Sequence, residues 1–260
     1  MTVARENVYY CGTDNPQQTL DLYRPHGHDQ EALPLLVYIH GGGWRGGTKQ
    51  NGMIDSYGPL FLKHTMAVAS LSYRLNPAHP YSGQNDDIAC ALNYLDRNAN
   101  KLHIDPSKMI FFGESAGGQL ASFAALNVPY KDYDYDAPIG VIDFYGVTDF
   151  STILTGKHPD YNARRYLGRD YLQVAPVASP ISYVSTHAPR FLIVHGKIDR
   201  IVPVAQSKLL YSQLIKAGNK ATYVELPYAP HGFIGPEISP AEYKTVLDNL
   251  NLFLAEVVGR

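Results

Sequence analysis

The chain has 260 residues, 45% of them hydrophobic and 18% charged, with a formal net charge of −2. Such a chain can bury a substantial core, as one large α/β domain or two small ones. The near-neutral balance gives no electrostatic case for nucleic acid or an anionic membrane, and no stretch approaches the length of a transmembrane helix.

Residues 1–24 read as an antiparallel start. Val8-Tyr9-Tyr10 and Thr19-Leu20-Asp21-Leu22-Tyr23 are β-prone runs around a turn from Gly12 to Pro16. Residues 1–15 carry Arg5 and Glu6 and no long apolar run, so no signal peptide is expected. Leu35 to His40 is nearly continuous apolar sequence, as in a strand buried on both faces, and it runs into Gly41-Gly42-Gly43-Trp44. Ser56 to Lys63 reads as a helix and Ala67 to Tyr73 as the next strand. Asn85 to Leu102 has helical periodicity, with Ile88, Ala91, Leu92 and Leu95 on one face and Asp86 and Asp87 in the first turn. His103 to Ser107 is expected as a turn.

Met109-Ile110-Phe111-Phe112 then leads into Gly113-Glu114-Ser115-Ala116-Gly117, followed by a small-residue, helix-compatible run. This is the strand–turn–helix context of a nucleophile elbow, which exposes the Ser115 hydroxyl at a strand end. Further strands are read at Ile139–Tyr145, Arg190–Gly196 and Ala221–Leu226, and helices at Val204–Ala217 and Pro240–Val257. Residues 149–178, rich in Tyr and Arg, are expected as a cap-like insertion over the strand ends. Alternating strands and helices imply a mostly parallel sheet covered on both faces, in a single α/β domain over residues 1–260.

A serine hydroxyl needs a base, and the base needs an orienting group. In open α/β sheets these lie beyond the carboxyl ends of the strands. Asp199 follows one late strand and His231 the next, so Ser115, Asp199 and His231 stand in the chain order of a hydrolase triad. His195 and His40 are read as packed, structural residues. Asp143 and Asp149 compete for the acid role. Backbone donors for a developing oxyanion, worth ~3 kcal/mol each, are expected from Gly42, Gly43 and Ala116. Trp44 is read as either a pocket wall or a packing anchor for the glycine loop, with packing slightly preferred.

Cys11 and Cys90 are too few for a disulfide framework, and with no export signal both are expected as reduced thiols in a cytoplasmic protein. No Cys/His cluster has zinc-ligand spacing, so no metal is expected, and the chemistry requires no cofactor. Oligomeric state is left open, a homo-oligomer included.

Together these motifs resemble the hormone-sensitive-lipase-like and BD-FAE-like carboxylesterases of the α/β-hydrolase superfamily. The resemblance runs from His40-Gly-Gly-Gly-Trp44 through Tyr73-Arg74-Leu75, Asp86-Asp87, the elbow, Tyr145-Gly146-Val147-Thr148-Asp149 and Ala178-Ser179-Pro180-Ile181 to Asp199 and His231-Gly232-Phe233. It implies a serine esterase acting on small-molecule, short acyl esters, with Asp86-Asp87 structural. The long N-terminal helical cap of the larger lipase-like members is missing, so any lid would come from residues 149–178 or the 44–58 loop. Arylformamidases look similar around the glycine loop and elbow and supply the alternative reading. A non-catalytic binding protein of the same fold is a third, disfavoured because every part of the triad is present.

Overall fold

The computed structural model describes residues 3–155, 160–233 and 237–259. Its centre is an eight-stranded sheet in the order β1-β2-β4-β3-β5-β6-β7-β8. β1 (Val3–Tyr9) and β2 (Thr19–Tyr23) form the antiparallel start, and β2 also runs antiparallel to β4 (Ala67–Leu71). From β4 onward, β3 (Leu33–Ile39), β5 (Ile104–Glu114), β6 (Gly140–Phe144), β7 (Arg190–Gly196) and β8 (Ala221–Leu226) are parallel.

The continuous apolar runs follow from burial of both sheet faces. Along β3, Leu35, Val37 and Ile39 join one hydrophobic cluster, and Leu36 and Tyr38 join the other. Met109 and Phe111 of β5 alternate with Ile110 and Phe112 in the same way. The first cluster is completed by α2 (Gly83–Arg97), α3 (Ala99–Leu102), α4 (Ala116–Leu126) and α8 (Ala205–Lys216), the second by α1 (Gly52–Lys63) and α9 (Pro240–Val258).

Of the boundaries that differ from the sequence reading, three have a visible cause. β5 begins at Ile104, because Leu33 and Pro34 recruit Ile104 and Asp105; a register shift before the Leu35–Met109 pair absorbs Pro106 to Lys108. The expected 85–102 helix divides at Asn98, whose Nδ2 donates to the Tyr94 carbonyl at 2.8 Å and competes with the helical ladder. α1 starts earlier than Ser56 because the Asn51 side chain accepts from Met53 N at 2.7 Å and caps it.

The cysteine expectation is corrected: Cys11 and Cys90 form a disulfide, with Cα atoms 5.7 Å apart, tying the β1–β2 loop to α2. Gln18 Nε2, donating to Asp87 Oδ1 at 2.6 Å, and Tyr10 Oη, donating to the Ser72 carbonyl at 2.6 Å, hold that loop in place. A cysteine count cannot see this folding-over, and the thiol argument for a cytoplasmic setting falls with it. Asp87 takes Arg74 Nε and Nη2 as well as the Arg74 amide, a structural role as the resemblance implied. Among the described residues no helix is long and apolar enough to cross a membrane.

Candidate active site

The turn between β5 and α4 is as tight as its glycines demand. A Cβ on Gly113 would lie 2.1 Å from the Gly117 carbonyl oxygen, and one on Gly117 would lie 2.0 Å from that of Ile39. Ser115 sits at the apex with φ 56° and ψ −118°, a strained conformation for a residue with a side chain. Its amide donates to the Phe144 carbonyl at 2.8 Å, which pins the apex to β6.

Ser115 Oγ lies 3.0 Å from His231 Nε2, and His231 Nδ1 lies 2.7 Å from Asp199 Oδ2. The carboxylate can only accept, so Nδ1 carries the imidazole proton and Nε2 is left to accept from the serine hydroxyl. The structure therefore joins the three residues the sequence singled out, from the ends of β5, β7 and β8. Asp199 is the most heavily bonded. Oδ1 accepts from the amides of Ile201 and Val202 at 2.8 and 2.9 Å, and Oδ2 accepts from both His231 and His195. Burial would raise its pKa, but the hydrogen bonds from His195 and His231 outweigh burial and hold the carboxyl well below the usual carboxylate range.

The competing acids lie in other networks. Asp143 accepts from Gly146 N at 2.9 Å and Ser122 Oγ at 3.3 Å, and burial pushes its carboxyl up to about 6. Asp149 accepts from the Ser151 amide at 2.8 Å.

Across the site runs the glycine loop after β3. Gly42 and Gly43 have φ of 102° and 60°, and the Gly42 carbonyl accepts from Arg45 N and Gly46 N, closing the loop on itself. Among the described residues, no protein acceptor takes the amides of Gly42 and Gly43. The Ala116 amide, in the first turn of α4, has no intrahelical acceptor. These are the three amides the sequence singled out. His40 is structural, as read: Nδ1 donates to the Gly41 carbonyl at 2.7 Å, and the ring stacks on Tyr73 at 4.2 Å. Trp44 is buried, stacks on Tyr166 at 4.5 Å and donates to Gln119 Oε1 at 2.9 Å. It anchors the loop and also lines the cavity. That cavity, of about 270 Å³, opens onto Ser115 and His231 and is walled by Gly42, Gly43, Val147 and Val202 among others.

The family model for BD-FAE matches residues 20–214, a span that holds the glycine loop, Ser115 and Asp199 and stops short of His231. The chain belongs to the BD-FAE family. It is 30% identical to the Mycobacterium tuberculosis esterase LipC over 247 residues, 89% of this chain and 60% of that protein. The chain thus spans about 60% of the length of such curated relatives. Among solved structures, a truncated carbohydrate esterase from gut microbiota superposes with a TM-score of 0.83 at 25% identity, covering 100% of this chain and 97% of that one. Esterase 2 of Thermogutta terrifontis gives 0.79 at 25% identity, covering 98% and 92%. The sheet and its elbow are the α/β-hydrolase fold that the motifs implied.

In this BD-FAE chain the insertion contributes α5 (Phe150–Thr155), α6 (Tyr161–Leu167) and α7 (Tyr171–Ala178); residues 156–159 of the expected cap lie outside the described residues. α6 brings Asn162, and its capping residue Asp160, to the cavity rim.

Two residues of the site escaped the sequence reading or were read too narrowly. Glu114, the residue between Gly113 and Ser115, accepts from Gly41 N at 2.6 Å, Asn51 Nδ2 at 3.3 Å and Tyr38 Oη at 3.3 Å. It fastens the glycine loop to the elbow, and burial raises its carboxyl pKa. The fixed place of a carboxylate beside the serine was the available signal. His195 is packed, as read, yet its contact with Asp199 also makes it part of the site. A histidine four residues before the acid, at the same strand end, was the clue.

Proposed function

We propose that this chain is a serine carboxylesterase that hydrolyses short-chain acyl esters through an acyl-enzyme, and that its catalytic machinery occupies one domain. The observation that carries the reading is the hydrogen-bonded series Ser115–His231–Asp199 beside the unpaired amides of Gly42, Gly43 and Ala116. The esterase names of its relatives, and an esterase 2 from Thermogutta terrifontis phosphorylated by paraoxon, support it.

His231 Nε2 takes the Ser115 proton as Oγ attacks the ester carbonyl. Negative charge develops on the carbonyl oxygen, and the amides of Gly42, Gly43 and Ala116 are placed in advance to meet it. Asp199 fixes the tautomer of His231 and stabilises the imidazolium without taking its proton. His231 then protonates the departing alcohol. Water enters, gives its proton to His231 and attacks the acyl carbon; His231 returns that proton to Ser115 Oγ as the Ser115–acyl bond breaks and the acid leaves. The modest cavity, about 270 Å³, favours small acyl groups.

A fluorophosphonate probe tests the reading on the purified protein. Labelling of wild type but not of Ser115→Ala is expected, and a wild type that stays unlabelled would indicate a binding protein instead. Turnover of formylkynurenine set beside a short acyl ester then separates formamide from ester cleavage. The ester should be the better substrate.

A further inference from the structure

A second cavity, of about 230 Å³, adjoins the catalytic one and shares Gly43 and Asn162 with it. Its remaining walls are Arg45, Asn76, Pro77 and Arg165. Two arginines therefore border a cavity beside the glycine loop in a protein whose net charge is −2. Among the described residues neither forms a salt bridge, and no acidic side chain lines this cavity. Of the two carboxylates lining the neighbouring catalytic cavity, Asp160 accepts from the Ala163 amide as the cap of α6, and Glu114 accepts from Gly41 N.

The arginines are held without being used up. Arg45 Nη1 donates to Asn162 Oδ1 at 3.2 Å; Arg165 Nη1 donates to Tyr161 Oη at 3.1 Å, and its guanidinium lies 5.5 Å from that ring centre. A guanidinium has five N–H donors in a planar fork suited to carboxylates. Only one of the five on each side chain has a protein acceptor among the described residues. Asn76, buried beneath them, donates Nδ2 to the Arg165 carbonyl at 2.7 Å and fixes that end of α6. The Arg and Tyr content of the insertion thereby acquires a use.

We propose that this cavity is a subsite for a negatively charged group of the substrate, a carboxylate carried by the acyl or the alcohol part of the ester. The inference rests on the esterase reading above. Its chemistry is bidentate pairing between the forks of Arg45 and Arg165 and a carboxylate a few atoms from the scissile bond.

The test compares matched esters on the full chain. Nitrophenyl hemiglutarate against nitrophenyl valerate probes a charge on the acyl side. The acetyl ester of glycolate against that of glycolamide probes the alcohol side. The readout is the ratio of kcat/KM, charged to neutral. On one of the two arms it should exceed one, and it should fall roughly fivefold or more in Arg45→Gln/Arg165→Gln and at ~1 M salt. A ratio at or below one on both arms, or one unmoved by the double variant, overturns the subsite. Turnover of the neutral esters by wild type but not Ser115→Ala reports separately on the esterase reading. Calorimetric titration with glutarate needs no turnover: weaker binding by the double variant supports the subsite, and equal or absent binding in both proteins overturns it.

Discussion

His195 Nε2 donates to Asp199 Oδ2 at 3.1 Å, the same oxygen that accepts from His231. His195 is buried, and its Nε2 also faces the Val202 carbonyl at 3.0 Å while Nδ1 lies 2.7 Å from Ser207 Oγ. Two acceptors at Nε2 assign the proton there, and Nδ1 accepts from the serine. The acid of the site is thus held by a second imidazole rather than by one alone. His195→Ala should lower kcat by roughly 10²-fold with a smaller change in KM, since a misaimed Asp199 misaims His231. His195→Gln, which keeps an N–H donor, should recover part of the loss. Equal rates in the two variants would reduce His195 to packing.

Glu114 joins the elbow to the glycine loop through Gly41 N. Glu114→Ala leaves that amide unpaired and loosens Gly42 and Gly43, so kcat on a nitrophenyl ester should drop roughly 10- to 100-fold, less than the roughly 10²- to 10³-fold cost of losing an oxyanion donor outright. Glu114→Gln retains an acceptor and should lie between wild type and Ala. A crystal structure of Glu114→Ala with the loop unmoved would contradict this role.

The strands, the elbow and the order Ser115, Asp199, His231 were legible because each depends on local pattern: continuous apolar runs, glycines at a turn, and polar residues just after strands. What stayed hidden depends on elements meeting in space. Leu33 and Pro34 pulling Ile104 into the sheet, the β1–β2 loop laying Cys11 on α2, and Asn51 and Tyr38 converging on Glu114 have no signature in the local spacing of residues. His195 was placed correctly as a buried residue, but its second neighbour, Asp199, was not apparent from the strand alone.

The disulfide is checked by chemistry. Thiol titration of the unfolded, unreduced protein should find no free thiol, and reductant should lower the melting temperature. A bridge closing 79 residues of sequence separation restricts the unfolded chain, by about 4.5 kcal/mol in the loop-entropy account. Two titratable thiols and an unchanged melting temperature would refute the pairing.

Asp143 and Asp199 should separate by pH and by rate. Burial raises the folded pKa of Asp143 to about 6 from the ordinary 3.8. Its stabilising share is therefore complete below about pH 4 and lost as the pH rises through about 6. Asp143→Asn stays neutral, so its melting temperature relative to wild type should climb across that window while esterase rate changes little. Asp199→Asn should instead lose about 10⁴ in kcat, as a misassigned tautomer does in serine proteases. Loss of rate only at Asp143→Asn would move the acid to that position.

The central claim is that Ser115 carries ester hydrolysis. It is tested most directly by turnover of nitrophenyl esters from acetate to laurate, run on wild type and on folded Ser115→Ala side by side. The account predicts wild-type activity that peaks at short acyl chains and a Ser115→Ala rate indistinguishable from background. Undiminished hydrolysis by Ser115→Ala, or a folded wild type inert on every ester, would contradict it.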